Sequence, residues 1–274
     1  MEKRYSFPLC IQLTSPLNYS DQNFFRILDL LKQLGIYGIE LNITDFSKEK
    51  MEQLFGILKR FDLRLTMIAS GAYAKKYDIN LSSINETIRE KAVDTLAYML
   101  NQASRMNAGV ICGYIKGGAN GCRELAEIQM KKSLGDLEQT GVLSKSVLYL
   151  EATNHYESLL VNRVEEGAAF IRGVKSPLYV LPDTYHMNIE ERSMEAVLVK
   201  YADFYKNIHI SDNNRYFPGI GSISFYSILR LLKAMDYKGT ITIEGRVLKT
   251  LEEDIRFSCK YLENLNRQIE WCGF

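Results

Sequence analysis

Glu151, Asp183, His209 and Glu244 each sit in or just after a short apolar run in the C-terminal half of the chain. The runs are SVLYLEATN, LYVLPDTYH, YKNIHISDN and GTITIEGR. The four residues are spaced 32, 26 and 35 positions apart, each about one strand-plus-helix unit of roughly 30 residues. If the runs are parallel strands of a barrel, all four side chains meet in one cup at its C-terminal face, where barrel enzymes do their chemistry. Three carboxylates and one imidazole are hard-to-borderline ligands suited to Mn²⁺, Mg²⁺ or Co²⁺. A single acidic residue at a strand end carries little weight, because Asp and Glu also cap helices. Four polar residues embedded in apolar strands carry more. Burying unpaired charge is costly, and one shared divalent cation would satisfy all four together.

The elements that would position them alternate between β-rich and helical runs, the pattern of a parallel α/β architecture. Eight strands are expected, at 6–13, 37–43, 64–70, 108–115, 146–152, 178–184, 205–211 and 239–246. Amphipathic stretches lie between them. In 24–35, Phe24, Ile27, Leu28 and Leu31 fall at helical spacing and Gly35 is the expected C-cap. The stretch 222–237 repeats the pattern. The longest, 84–107, turns Met99, Ala103 and Met106 toward the barrel. The 274 residues match the roughly 250 of one (β/α)₈ TIM barrel. No linker or compositional shift divides the chain, so residues 1–274 are expected to form one domain. Two loops are unusual, ASGAYAKKYDINLSS after the third strand and KGGANGCRE after the fourth. Loops at this end of a barrel shape its pocket or merely connect elements.

Composition excludes several functions. With 34 basic and 33 acidic residues, the chain has no electrostatic footprint for nucleic acid. No apolar stretch approaches the roughly 18 residues of a membrane span, and the N-terminus reads as a first strand rather than a signal peptide. Five widely spaced cysteines without a CxxC pair argue against a disulfide framework or thiolate zinc site and fit a reducing cytoplasm.

The segments LEATNHYE, DTYHMNIEE, HISDNNRYFPGIGSISF and TIEGR, in this order, resemble the sugar epimerase branch of the xylose isomerase-like TIM barrels. Within it they are most similar to the D-tagatose/D-psicose (ketose) 3-epimerase group. The resemblance is dense over 145–250 and thin before that. It implies that Glu151, Asp183, His209 and Glu244 are metal ligands and that Glu151 and Glu244 are also the catalytic carboxylates. It further implies that Glu157, His186 and Arg215 bind the sugar. The implied reaction interconverts ketoses at C3: a proton beside the carbonyl is removed and returned to the other face through a cis-enediolate. The cofactor would be one divalent ion, Mn²⁺ foremost with Co²⁺ or Mg²⁺ as alternatives. Relatives of this kind form homodimers or homotetramers.

Other readings stay open on the same scaffold: a sugar-phosphate epimerase, a hydroxypyruvate-type aldose–ketose isomerase or an inosose dehydratase. A phosphate user should surround its pocket with cations, and only Lys116, Lys75 and Lys76 are candidates. An apurinic-site endonuclease-like phosphodiesterase would use a histidine-rich zinc site, and the chain has three histidines, His155, His186 and His209. A non-catalytic sugar binder would be expected to have lost a ligand or a base. His155 reads as a rim residue or a helix cap, Glu40 as a pocket residue, cap or salt-bridge partner. The tail NLNRQIEWCGF, with Trp271 and Cys272, reads as an interface element or as folded back on the barrel.

Overall fold

The strand segments are apolar on both faces, and β1 is buried at every position, as expected of parallel strands with helices packed outside and side chains filling the inside. In the computed structural model, which describes residues 4–13, 18–174 and 176–271, eight such strands form one sheet. They are β1 (Leu9–Leu13), β2 (Gly38–Asn42), β3 (Arg64–Ala69), β4 (Gly109–Cys112), β5 (Leu148–Glu151), β6 (Leu178–Leu181), β7 (Asn207–Ile210) and β8 (Thr240–Ile243). The order β6-β5-β4-β3-β2-β1-β8-β7 is parallel throughout. The ring closes between β6 and β7 through an isolated bridge, Asp183 to His209. There the His209 amide donates to Pro182 O at 2.8 Å. The Thr184 hydroxyl donates to Ser211 O at 2.6 Å and accepts from the Ser211 amide at 3.0 Å.

The helices are α1 (Gln22–Gln33), α2 (Lys48–Phe61), α3 (Gly71–Tyr77), α4 (Glu86–Ser104), α5 (Arg123–Gln139), α6 (Val164–Ile171), α7 (Thr184–Glu190), α8 (Met194–Lys200), α9 (Phe225–Ala234) and α10 (Leu251–Trp271). Helix α1 starts where Asp21 accepts the Asn23 amide at 2.9 Å and buries Phe24, Leu28 and Leu31, while Ile27 is half-buried. It ends at Gly35, whose φ of 72° sets up the bond from the Ile36 amide back to Leu31 O at 3.0 Å, the left-handed termination glycine favours. Met99 and Ala103 of α4 are buried, and Met106 lies half-buried beyond its end.

The strands are shorter than the apolar runs that announce them. The run 108–115 is strand only to Cys112; it then turns through a 3₁₀ helix, Tyr114–Lys116. The loop after β3 holds α3, with Lys75 and Lys76 exposed on it. Trp271 ends α10 and is 91% exposed; Cys272 lies outside the described residues. No described helix is long and apolar enough to cross a membrane.

Candidate active site

Glu151 is the last residue of β5 and its carboxylate lies against the turn that follows β4. A Cβ on Gly113 would fall 2.3 Å from Glu151 Oε2, so the glycine is what lets the carboxylate lie there. Glu244 directly follows β8, and its amide donates to Ile210 O at 3.1 Å, which ties it to β7. His209 lies within β7. Its Nδ1 is 2.6 Å from Glu244 Oε2 and its Nε2 is 2.8 Å from Glu40 Oε2.

Glu40 lies in β2 under the site rather than in its wall, fully buried. Its other oxygen accepts from Thr242 at 2.6 Å and from Asn207 at 3.0 Å. This is the arrangement of a metal-ligating histidine backed by a carboxylate that fixes its ring.

Asp183 follows β6 and opens α7. One oxygen caps that helix by accepting the Tyr185 amide at 2.8 Å, so capping and site membership hold together. The other oxygen accepts Arg215 Nη1 at 2.6 Å, and Arg215 Nη2 reaches Glu244 at 3.0 Å. Arg215 takes a left-handed φ of 65° in the turn after β7, and its guanidinium lies over the Tyr185 ring.

His186 sits in the first turn of α7, almost fully buried, with Nε2 3.9 Å from Glu151. The Asn154 amide donates to its Nδ1 at 3.2 Å, which leaves the ring proton of the neutral imidazole on Nε2, facing Glu151. Asn154 also donates to Glu157 at 3.3 Å. Glu157 is exposed at the mouth.

These residues surround a cavity of about 190 Å³, with Glu151, Glu157, His186, Arg215 and Glu244 in its wall. A larger hollow of about 880 Å³, lined by the early part of β3, the first residues of β5 and β8 and the turns before them, contains none of these site residues. The smaller cavity is the one with convergent chemistry. One donor atom from each of Glu151, Asp183, His209 and Glu244 lies within 4.8 Å of the others. That spread is comparable with twice a metal–oxygen distance of about 2.1 Å, and the donor set fits a divalent ion.

The electrostatics are those of a crowded acidic cup. Burial, then the charge of Glu244, pushes the Glu151 carboxyl up to about 7. Burial would raise Glu244 too, but Arg215 and then His209 hold it below the usual carboxylate range. Burial alone would lower His209; Glu40 and Glu244 together hold it well above its ordinary value. His186, with weaker partners, is lowered by burial.

His155 lies outside this group. Its amide and ring both meet Glu190, at 2.7 and 2.5 Å, and it caps no helix. In Pro218–Gly221 the glycines are needed for packing. The Asp212 carboxylate gathers the amides of Gly219 and Ile223 at 3.0 and 2.9 Å, and a Cβ on Gly221 would fall 2.4 Å from it. Sequence reasoning left the buried support of Glu40, the Gly113 approach and Asn154 unassigned. The isolated Glu in the apolar run GIELN was the one available signal.

Comparison with known proteins agrees with this geometry. Residues 28–265 match the family model described as xylose isomerase-like TIM barrel. A D-psicose 3-epimerase of Enterocloster bolteae is 32% identical over 239 residues, 83% of this chain and 78% of that one. A 3-dehydro-D-guloside 4-epimerase of Escherichia coli is 36% identical over 118 residues, where the match spans 42% of this chain and 44% of the relative. The E. coli 3-keto-D-glucoside 4-epimerase structure superposes with a TM-score of 0.79 at 22% identity, covering 94% of this chain and 100% of that one. The Methylomonas D-allulose 3-epimerase bound to D-allulose gives 0.73 at 19% identity, with 98% of each chain covered. With most of its length matched by that model and by a 32% identical epimerase, the chain belongs to the xylose isomerase-like TIM barrel family.

Proposed function

We propose that this chain is a divalent-metal-dependent sugar epimerase that interconverts free ketoses at C3. The observation that carries the reading is the pair Glu151 and Glu244. They come from β5 and β8, both line one cavity, and both belong to a cluster that fits a metal ion.

Inverting a carbon beside a ketone needs one base to remove the proton and one acid to return it to the other face. Glu151 and Glu244 fill these roles, exchanging them with the direction of reaction through a cis-enediolate. Held by Glu151, Asp183, His209 and Glu244, a divalent ion would supply Lewis-acid polarisation of the ketone. Mn²⁺ is the ion we infer, with Co²⁺ and Mg²⁺ to be tried beside it. His186 directs its Nε2 proton to the Glu151 side of the cavity, where it stabilises a developing oxyanion. Arg215 and Glu157 orient the sugar hydroxyls. Burial of Glu151 and His186 keeps bulk water from the proton in transit.

A second reading is epimerisation at C4 of a 3-keto sugar, favoured by the similarity to the E. coli 3-dehydro-D-guloside 4-epimerase. The chemistry is the same, a proton removed beside a ketone, moved one carbon along. A single domain, a cytoplasmic location and assembly as a homodimer or homotetramer complete the proposal.

Proton exchange in D₂O tests it. The protein loaded with Mn²⁺ or Co²⁺, with a chelator control, is incubated with free ketoses, ketose phosphates and 3-keto glycosides and followed by NMR. Metal-dependent deuterium at C3 of a free ketose, with a new epimer, supports the main reading. Deuterium at C4 of a 3-keto sugar supports the second. Exchange at C1 or C2 would replace both with an aldose–ketose isomerase.

A further inference from the structure

Among the described residues, Arg89 and Lys116 are the two largest side chains buried almost without trace. The fold treats them differently. Arg89, between α4 and α5, meets Glu86 at 3.0 Å, Asp136 at 2.6 Å and Ser133 at 3.1 Å. It is a structural cation with its charge balanced. Lys116 has no such balance. Its Nζ donates to the Thr153 hydroxyl at 2.5 Å and reaches Gly113 O at 3.5 Å, the far limit of a hydrogen bond. Among the described residues no carboxylate forms an ion pair with it; burial disfavours its charged form, and Glu151 and Glu157 offset this only from farther away.

A lysine ammonium carries three donors, and its burial without a counter-charge is costly and rare. The chain holds it there deliberately. Lys116 ends the 3₁₀ turn after β4, and the next residue, Gly117, takes a φ of 128° with no room for a Cβ, which would fall 2.1 Å from Ser82 Oγ. The tight turn carries the side chain inward, into the wall of the 190 Å³ cavity that also holds Glu151, Glu157, His186, Arg215 and Glu244.

We propose that Lys116 is a specificity-determining residue of this site, its ammonium donating to a neutral hydroxyl of the sugar. The inference rests on the sugar-epimerase reading above. An uncharged hydroxyl suits the place better than a phosphate or carboxylate. A hydroxyl can accept from Lys116 and donate to a carboxylate of the same wall, whereas an anion there would face Glu151 and Glu157. Thr153 holds the ammonium in register until the sugar arrives.

The test uses the metal-loaded protein, wild type and Lys116→Met, with Lys116→Gln in reserve should the methionine variant fail to fold. Each is assayed by calorimetric binding and by turnover on the preferred ketose and its monodeoxy analogues. Wild type should discriminate against one deoxy analogue by about 10- to 100-fold, the range of a hydrogen bond to a charged group. In Lys116→Met that ratio should collapse toward one, with metal content unchanged and Tm equal or higher, since a buried amine short of partners has gone. The ratio is internal to each protein, so general weakening of the variant cancels. An unchanged ratio in the variant overturns the proposal and leaves Lys116 a structural residue. Wild type preferring a ketose phosphate, with the preference lost in the variant, overturns the neutral-hydroxyl assignment. Wild type that neither binds nor turns over any sugar sinks the epimerase reading itself, a result distinct from both.

Discussion

His209 Nε2 lies 2.8 Å from Glu40 Oε2 with both side chains wholly shielded from solvent. The strand that supplies Glu40 carries no member of the metal-fitting cluster, yet Glu40 decides how His209 presents its other nitrogen. Glu40→Gln should therefore keep the fold and weaken Mn²⁺ affinity by about 10- to 100-fold, the usual cost of losing such a supporting carboxylate. Metal titration followed by calorimetry checks this. An affinity equal to wild type would reduce Glu40 to a packing residue.

Glu244→Gln replaces a proton acceptor by a neutral amide of the same shape. We expect unchanged circular dichroism and a fall in proton exchange of about 10²- to 10⁴-fold, the range for a positioned acid–base group. Exchange in D₂O within a few-fold of wild type would remove Glu244 from the chemistry.

Asp183→Ala should abolish tight metal binding while leaving the Arg215 contact to Glu244 in place. In wild type, metal at about 100 times its Kd should stabilise the fold by about 2.7 kcal/mol, and chelator should reverse the rise in Tm. The variant should show no metal-dependent shift. Full occupancy of the variant by elemental analysis would contradict the ligand assignment.

Gly113→Ala puts a methyl group where Glu151 Oε2 now lies, 2.3 Å from the new carbon. The carboxylate must move, so kcat should drop at least tenfold, since misplacement by about 1 Å costs on the order of 10²-fold. Normal kcat with normal metal content would show that Glu151 tolerates relocation.

Much of this was legible in the sequence because barrels translate spacing into geometry. Glu151, Asp183, His209 and Glu244 converge because strand repeats of similar length return each strand end to the same rim. His186 was picked out only through the resemblance, three residues after Asp183; the structure places it in the first turn of α7, which Asp183 caps. Lys116 and Glu40 were not resolved. Whether a lysine just before a pair of glycines points out or in depends on the positive φ at Gly117 and on Ser82, far away in sequence. Glu40 pairs with a histidine 169 positions away, and no local pattern encodes that. Strand ends were overextended because apolar character continues past the last ladder bond, as at Ile115, which stays in the core although the backbone has already turned, while Tyr114 beside it is exposed.

The bridge between Asp183 and His209 has a mechanical consequence. Elsewhere neighbouring strands are zipped by ladders several residues long, but β6 and β7 meet only at the rim where these two residues stand. Below it, Lys206 lies over the Tyr179 ring, a contact without backbone bonds. Asp183 and His209, two members of the metal-fitting cluster, are thus also the clasp of the barrel. Filling the site should damp the breathing of this one seam, and amide hydrogen exchange along β6 and β7 should slow with metal far more than along β2 and β3.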